Sequence, residues 1–293
     1  MPPVLTFLTT FRMDFVALAA VFAAGGLYAY GVLLARRAGQ KWSLLPTLGF
    51  YLLGLGSYAW VSFGFLGAYS HDLRWAFTTR IALLLFAVPA LVTLGRPVTL
   101  ARAALSGAPL RVIERVLGSW PVRLMGNAIF APLLAIAAFL IFLTPFAFVL
   151  RDSQGWEGGI TVLVPLVGLL TVLPIVENVT MRTSLFITAE FMLAFVELVM
   201  DAIPGILLRL NETVLDHGSA LAGALPLWFP NALHDQHLSG DLLWFIAEIA
   251  DIPVLIILFV RWIRSDRREA SAMDDLSDEA MDALTQAHLR DRA

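Results

Sequence analysis

The chain has 293 residues, of which 59% are hydrophobic and 15% charged, with a mean hydropathy of +0.78. Soluble domains carry about a quarter charged residues, so this composition excludes a water-coated globule of that length, and a formal charge of −3 gives no global attraction for nucleic acid. With no cysteine there is no disulfide, thiolate metal centre, iron–sulfur cluster or thiol nucleophile.

A helix crossing the hydrocarbon core needs about 20 mostly apolar residues. The first such run, 15–35, lies behind Asp14; it lacks the basic start and short apolar core of a cleaved leader and is expected to persist as a span. The second is expected at 43–67, inside the uncharged stretch between Lys41 and His71. The third, 75–95, must take Arg80 into the membrane, because its charge-free part covers only 15 residues. Residues 97–121 then set Leu110, Val112, Ile113, Val116 and Leu117 against Arg111, Glu114 and Arg115, the pattern of an amphipathic helix on the inner leaflet or of an ordinary loop helix. Spans four and five are expected at 124–150 and 158–176. The sixth, 183–208, contains Glu190, Glu197 and Asp201, and the seventh, 242–262, contains Glu248 and Asp251. Between them an outer loop, 210–240, offers Leu225, Leu227, Trp228 and Phe229 among Gly, Pro and Asn breakers, as a segment folding back on the membrane surface would. Residues 1–262 thus form the membrane domain and 263–293 a charged cytoplasmic tail, in which Ser277 caps a short amphipathic helix.

The expected fold class is all-α, a seven-transmembrane-helix bundle. Loops after spans one, three and five, together with the tail, hold 15 of the 20 Lys and Arg residues. The positive-inside rule places that side in the cytoplasm, so the N-terminus lies outside and the C-terminus inside.

Charged groups inside the bilayer are the first candidate site, since each costs about 2.5–3.5 kcal/mol at mid-depth and needs a partner or a proton. Glu190, Glu197 and Asp201 are spaced seven and four apart and share one helix face, as do Asp241, Glu248 and Asp251 at seven and three. Arg80, Glu197, Asp201, Glu248 and Asp251 all fall in the outer half of their spans, and Pro204 and Pro253 free carbonyls beside the acids. Two readings stand: an outward-facing polar cavity that takes a cation or proton, or an ion-pair network in which Arg80 neutralises Asp201 or Glu248. A second candidate is His234 with His237, three apart near the outer surface, a spacing at which two imidazoles can face one metal, or else two solvated side chains with Asp241 capping the helix behind them.

Three stretches carry a family likeness. They are Ala68 to Leu100 with its Leu94-Gly95-Arg96-Pro97-Val98 turn, Gly168 to Pro174, and Leu233-His234-Asp235-Gln236-His237-Leu238-Ser239-Gly240 followed by Leu242, Leu243 and Trp244, with Asp235 and Gln236 the motif pair. The chain resembles the CtaG-like cytochrome c oxidase assembly factors of bacteria over about residues 15 to 265. The resemblance implies a multi-pass protein of the bacterial cytoplasmic membrane, oxidase subunits as partners, and a link to copper delivery. Aligned on the Leu94–Val98 turn, the family's helix-three histidines fall on Phe77 and Ile81 with Arg80 between them, a helix-five histidine near Thr161 and a helix-six histidine on Asp201. An imidazole pocket has thus become one of Arg and carboxylates, which suit harder cations than copper; Arg80 is expected where a metal would sit.

No Gly-x-Ser-x-Gly, phosphate-cradling glycine loop or His-Glu-x-x-His motif is present, and no enzymatic role is expected. The function expected is that of an oxidase assembly or accessory factor; the alternative is a proton or cation transporter using the carboxylate cavity.

Overall fold

The computed structural model describes residues 4–125, 130, 133, 137, 139–144, 146–176, 184–215, 226 and 228–274; in Glu190, Glu197, Asp201 and Asp251, among others, the description stops at the backbone. Every described element is a helix. They are α1 (Val4–Thr9), α2 (Phe15–Arg37), α3 (Leu44–Tyr69), α4 (Arg74–Thr93), α5 (Pro97–Ala104), α6 (Ala108–Leu117), α7 (Trp120–Met125), α8 (Phe146–Asp152), α9 (Gln154–Val176), α10 (Ser184–Leu210) and α11 (Ala232–Asp274). Among the described residues four helices are long and apolar enough to cross a membrane: α2, α3, α4 and the Gly155–Leu173 part of α9. They fall on the first, second, third and fifth expected spans.

Helix α4 is the axis of the bundle. Two-thirds of its apolar window is buried, against about a quarter or less in α2, α3 and α9. One stripe, Phe77, Ile81 and Leu85, packs with Leu208 of α10 and with Leu243 and Ala247 of α11. Another, Leu84 and Val88, meets Ala17 of α2 and Tyr58 and Val61 of α3. The outward side chains of α2 and α3 are apolar too, with Phe22, Leu27, Leu45 and Leu52 exposed, as lipid-facing helices require. Both α3 and α4 contain a π-helical turn, at Gly49–Leu55 and Leu83–Ala87.

Glycines set the closest helix crossings. At Gly168 of α9 a Cβ would fall 2.0 Å from the Leu85 carbonyl oxygen in the π turn of α4. Gly205 of α10 and Gly240 of α11 face each other so closely that a Cβ on either would lie 2.7 or 2.4 Å from the other's carbonyl oxygen. The Leu94–Val98 turn has its own logic: a Cβ on Gly95 would meet that of Phe50 at 2.6 Å, Tyr28 donates to the Gly95 carbonyl at 2.8 Å, Arg96 takes the left-handed conformation (φ 49°), and Pro97 opens α5.

Three boundaries differ from those expected. Helix α11 starts at Ala232, inside the expected loop 210–240, because Asn231 caps it by accepting from the His234 N–H at 2.8 Å; Asp241 lies one-quarter of the way along and caps nothing. The same helix runs past 262 to Asp274, and the expected cap at Ser277 lies outside the described residues. Within 124–150 the described part is not one helix, since a 3-10 turn at Ile141–Leu143 and an extended Thr144, the residue before a proline, separate it from α8. Of the expected fold-back loop, Leu225 and Leu227 lie outside the described residues. Trp228 and Phe229 fold onto protein, against Phe65, Tyr69 and Trp75.

Candidate functional site

Arg80 is 1% exposed, the largest fully buried side chain described. Its guanidinium reaches Asp14 (Nη2 to Oδ2, 3.4 Å) and Glu157 (Nη1 to Oε1, 3.4 Å) and donates to the Thr161 hydroxyl at 2.8 Å. Local chemistry fixes each partner. Asp14 is the N-cap of α2, accepting from the amides of Val16 and Ala17. Glu157 lies in the first turn of α9, where a carboxylate complements the helix dipole, and is held from outside by both terminal nitrogens of Arg12 at 3.1 and 3.2 Å. Thr161, one turn on and fully buried, donates back to the Glu157 carbonyl or to Asp14, and its own carbonyl accepts from Tyr58 at 3.0 Å. Two cations and two carboxylates therefore form one neutral network tying α2, α3, α4 and α9 together.

This differs from the pairing expected between Arg80 and the acids of the last two spans. On α4, Arg80 heads the stripe that continues through Leu84 and Val88 toward α2 and α3, whereas α10 and α11 meet the Phe77–Ile81 stripe. The direction of a helical side chain, not its depth, decides its partner. Glu248 accepts instead from Trp244 Nε1, one turn back on α11, and Asp241 pairs with Arg209 of α10 at 3.3 Å in an exposed contact. The side chains of Glu197, Asp201 and Asp251 lie outside the described residues. Asp14 and Glu157 were not singled out from sequence because they read as boundaries of apolar runs. Their shared signal was that both open a helix at the end of the bundle where Arg80 sits.

A second polar cluster forms around Asp235 and Gln236. Leu73, which precedes α4, makes no side-chain cap; the cap comes from 160 residues away, as Asp235 accepts from the amides of Arg74 at 2.7 Å and Trp75 at 2.9 Å. Burial is the main influence on this carboxyl and pushes its pKa up, against the two amide bonds and the nearby Arg151 and Arg74, which pull it down. Gln236 is fully buried: its oxygen accepts from Arg74 Nη1 at 3.0 Å and from the Leu215 amide at 2.8 Å, and its nitrogen donates to the carbonyls of Thr213 and Asn211 at 3.0 and 3.3 Å. One turn on, Ser239 bonds Thr78 of α4 at 2.8 Å. The motif is a latch that fixes the start of α11 to the start of α4 and to the chain leaving α10.

The histidines of that stretch diverge. His237 points its Nε2 at the Asn211 carbonyl, 3.1 Å away, while His234 is exposed and lies beside the Phe229 ring. Among the described residues no three His, Asp or Glu side chains converge as a metal cage would need. Copper favours imidazole and thioether donors. Of the positions that the resemblance sets against imidazoles, Phe77 and Ile81 are packed apolar groups and Thr161 is an engaged hydroxyl, with the cation Arg80 beside them, while the side chain of Asp201 lies outside the described residues; the described groups do not fit a copper ion.

The fold and these two clusters define a class: an all-helical membrane-type bundle braced by buried polar latches. Comparison with known proteins gives the family. The model of the cytochrome c oxidase caa3 assembly factor family (Caa3_CtaG) matches residues 26–265, and the chain belongs to that family. It is similar to proteins described as uncharacterized from Mycobacterium bovis and Mycobacterium tuberculosis, each 28% identical over 96% of this chain, and to one from Mycobacterium leprae, 26% identical over 94%. The chain spans less than half the length of these relatives, 44%, 44% and 43%. No solved structure matches it.

Proposed function

We propose that this chain is a multi-pass protein of the bacterial plasma membrane that assists cytochrome c oxidase assembly by docking its lipid-facing helices against oxidase subunits, without holding copper itself. Family membership supports the assembly role. The observation that carries the metal-independent reading is the Arg80 network: a buried guanidinium whose charge is already balanced by Asp14 and Glu157 leaves no unpaired acid at that point to attract a cation. A bundle braced this way folds without metal, and its exposed apolar faces on α2 and α3 are chemically suited to partner helices as much as to lipid.

The test is metal analysis and co-purification from native membranes. Copper well below one per chain, with oxidase subunits retained, is the expected result. Copper near one per chain, lost in His237→Ala, would instead establish delivery. The transporter reading has its own assay, ion flux in proteoliposomes: flux abolished by Glu197→Gln would replace the docking role.

A further inference from the structure

A channel of about 450 Å³ runs between α2, α3, α4, α5, α6 and α9. Its walls are almost wholly hydrocarbon: Ala24 and Leu27 on α2, Val92 on α4, Ala101 on α5, Ile113 on α6, Leu169 on α9. Along α9 the lining extends from Val162 to Leu173, about 16 Å at the rise of an α-helix. A space of that length, open on the Leu27 side and lined by hydrocarbon, suits an acyl chain and offers a polar solute no partners.

Its surroundings are asymmetric. Helix α6 lines the channel through Ile113 and Leu117, exposes Val112 and Val116 beside that face, and turns Arg111, Glu114 and Arg115 the other way, the geometry of a helix lying in a membrane interface. On α5, Ala101 faces the channel while its neighbour Arg102 is exposed. Residues 96–123 carry five arginines and a single carboxylate, Glu114. Arg36 and Arg37 end α2 at the same end of the bundle, where Ala35 packs against Leu100 of α5.

We propose that this channel is a binding site for an anionic phospholipid, one acyl chain lying between α2 and α9 and the headgroup at the interface end, where the positive charge of Arg102, Arg111 and Arg115 favours a lipid of net negative charge. A zwitterionic lipid would fill the channel equally well but forgo the net attraction of the arginines. A free phosphate would gain that attraction and leave the channel empty.

Thermal melting of the full chain in neutral detergent, with phosphatidylglycerol, phosphatidylcholine or glycerol 3-phosphate added at equal concentration, separates these. A ligand that binds only the folded state raises the midpoint. Phosphatidylglycerol is expected to raise it by a few degrees more than phosphatidylcholine, and glycerol 3-phosphate not at all. The combined Arg102→Gln, Arg111→Gln, Arg115→Gln variant is expected to bring the two lipids level, and Ala101→Phe, which plugs the channel, to remove both responses. Equal responses in the unaltered protein, a full response to glycerol 3-phosphate, or a phosphatidylglycerol preference surviving Ala101→Phe would each overturn the proposal. If Ala101→Phe does not fold, native mass spectrometry of the unaltered chain decides: a retained anionic lipid lost in the triple glutamine variant supports it, and retention without charge preference overturns it.

Discussion

At the scale of single residues, Arg80 and Asp235 show how this chain handles charge where water is scarce. Removing one partner of a buried ion pair typically costs about 3–5 kcal/mol, because the charge left behind is desolvated and unpaired. Here the side chains of Asp14 and Glu157 keep 15% and 23% of their exposure, so part of that cost is returned by water. Arg80→Met is expected to destabilise by about 2–3 kcal/mol in detergent melts. Adding Asp14→Asn and Glu157→Gln should recover a good part of it, because the stranded charges go with the substitution; strictly additive losses would show that the network is not coupled. Asp235 behaves differently, since its folded pKa is raised by burial. A carboxyl whose pKa is higher folded than unfolded penalises the folded state at high pH, and that penalty lifts as pH falls through the folded value toward the unfolded one. The stability of the unaltered chain relative to Asp235→Asn should therefore grow on acidification. Melts of both across neutral to mildly acid pH check the sign, and a shrinking difference would contradict it. Asp235→Ala, which orphans two buried amides of α4, should cost about 2–4 kcal/mol at any pH.

At the scale of elements, backbone contact rather than side-chain volume sets the spacing of the helices that matter most. Helices α10 and α11 cross where Gly205 faces Gly240, and α9 crosses α4 where Gly168 faces the Leu85 carbonyl. None of these three glycines has a positive φ, so the constraint is space alone. Gly240→Ala would drive a Cβ to 2.4 Å from the Gly205 carbonyl oxygen and 3.0 Å from the Arg209 amide, both backbone atoms that cannot swing aside. Separating the pair also pulls on the Asp235 and Gln236 latch just ahead of it on α11, so a loss of about 2–3 kcal/mol or more is expected. Gly26→Ala is the control: nothing lies within 4 Å of its Cβ position on α2. There the substitution should be neutral or stabilise by about 0.5–1 kcal/mol through helix propensity. If both alanines behave alike in the same melt, helix contact does not discriminate them and the close-crossing account fails.

At the scale of the whole molecule, the sequence was most informative about lengths and least about directions. Runs such as 15–35 and 158–176 show their helices because a stretch without charge and of bilayer length has few other uses, and those helices are found at Phe15–Arg37 and Gln154–Val176. That Arg80 would fall within the third long apolar helix was legible for the same reason. Its partners were not, because pairing depends on how α4 is rotated, and that rotation follows from where α2, α9, α10 and α11 pack around it, a global property. The latch was half legible: Asp235 and Gln236 stood out as a motif, but their target, an uncapped α4 start 160 residues earlier, becomes visible only when the chain is folded. The chain has no native cysteine, so every introduced thiol reports alone on the side of the membrane it faces. If the arginine-rich loops face the cytoplasm, a membrane-impermeant maleimide should label Glu212→Cys in intact cells, while Gln40→Cys, Ser106→Cys and Ser271→Cys should react only after permeabilisation. All four sites are exposed, so silence cannot be blamed on burial. Labelling of both Glu212→Cys and Ser271→Cys from outside would put the two flanks of the last expected span on one side and dismantle the seven-span arrangement. Labelling of Gln40→Cys together with Ser106→Cys from outside would turn the bundle over, placing the arginines around the apolar channel on the opposite leaflet.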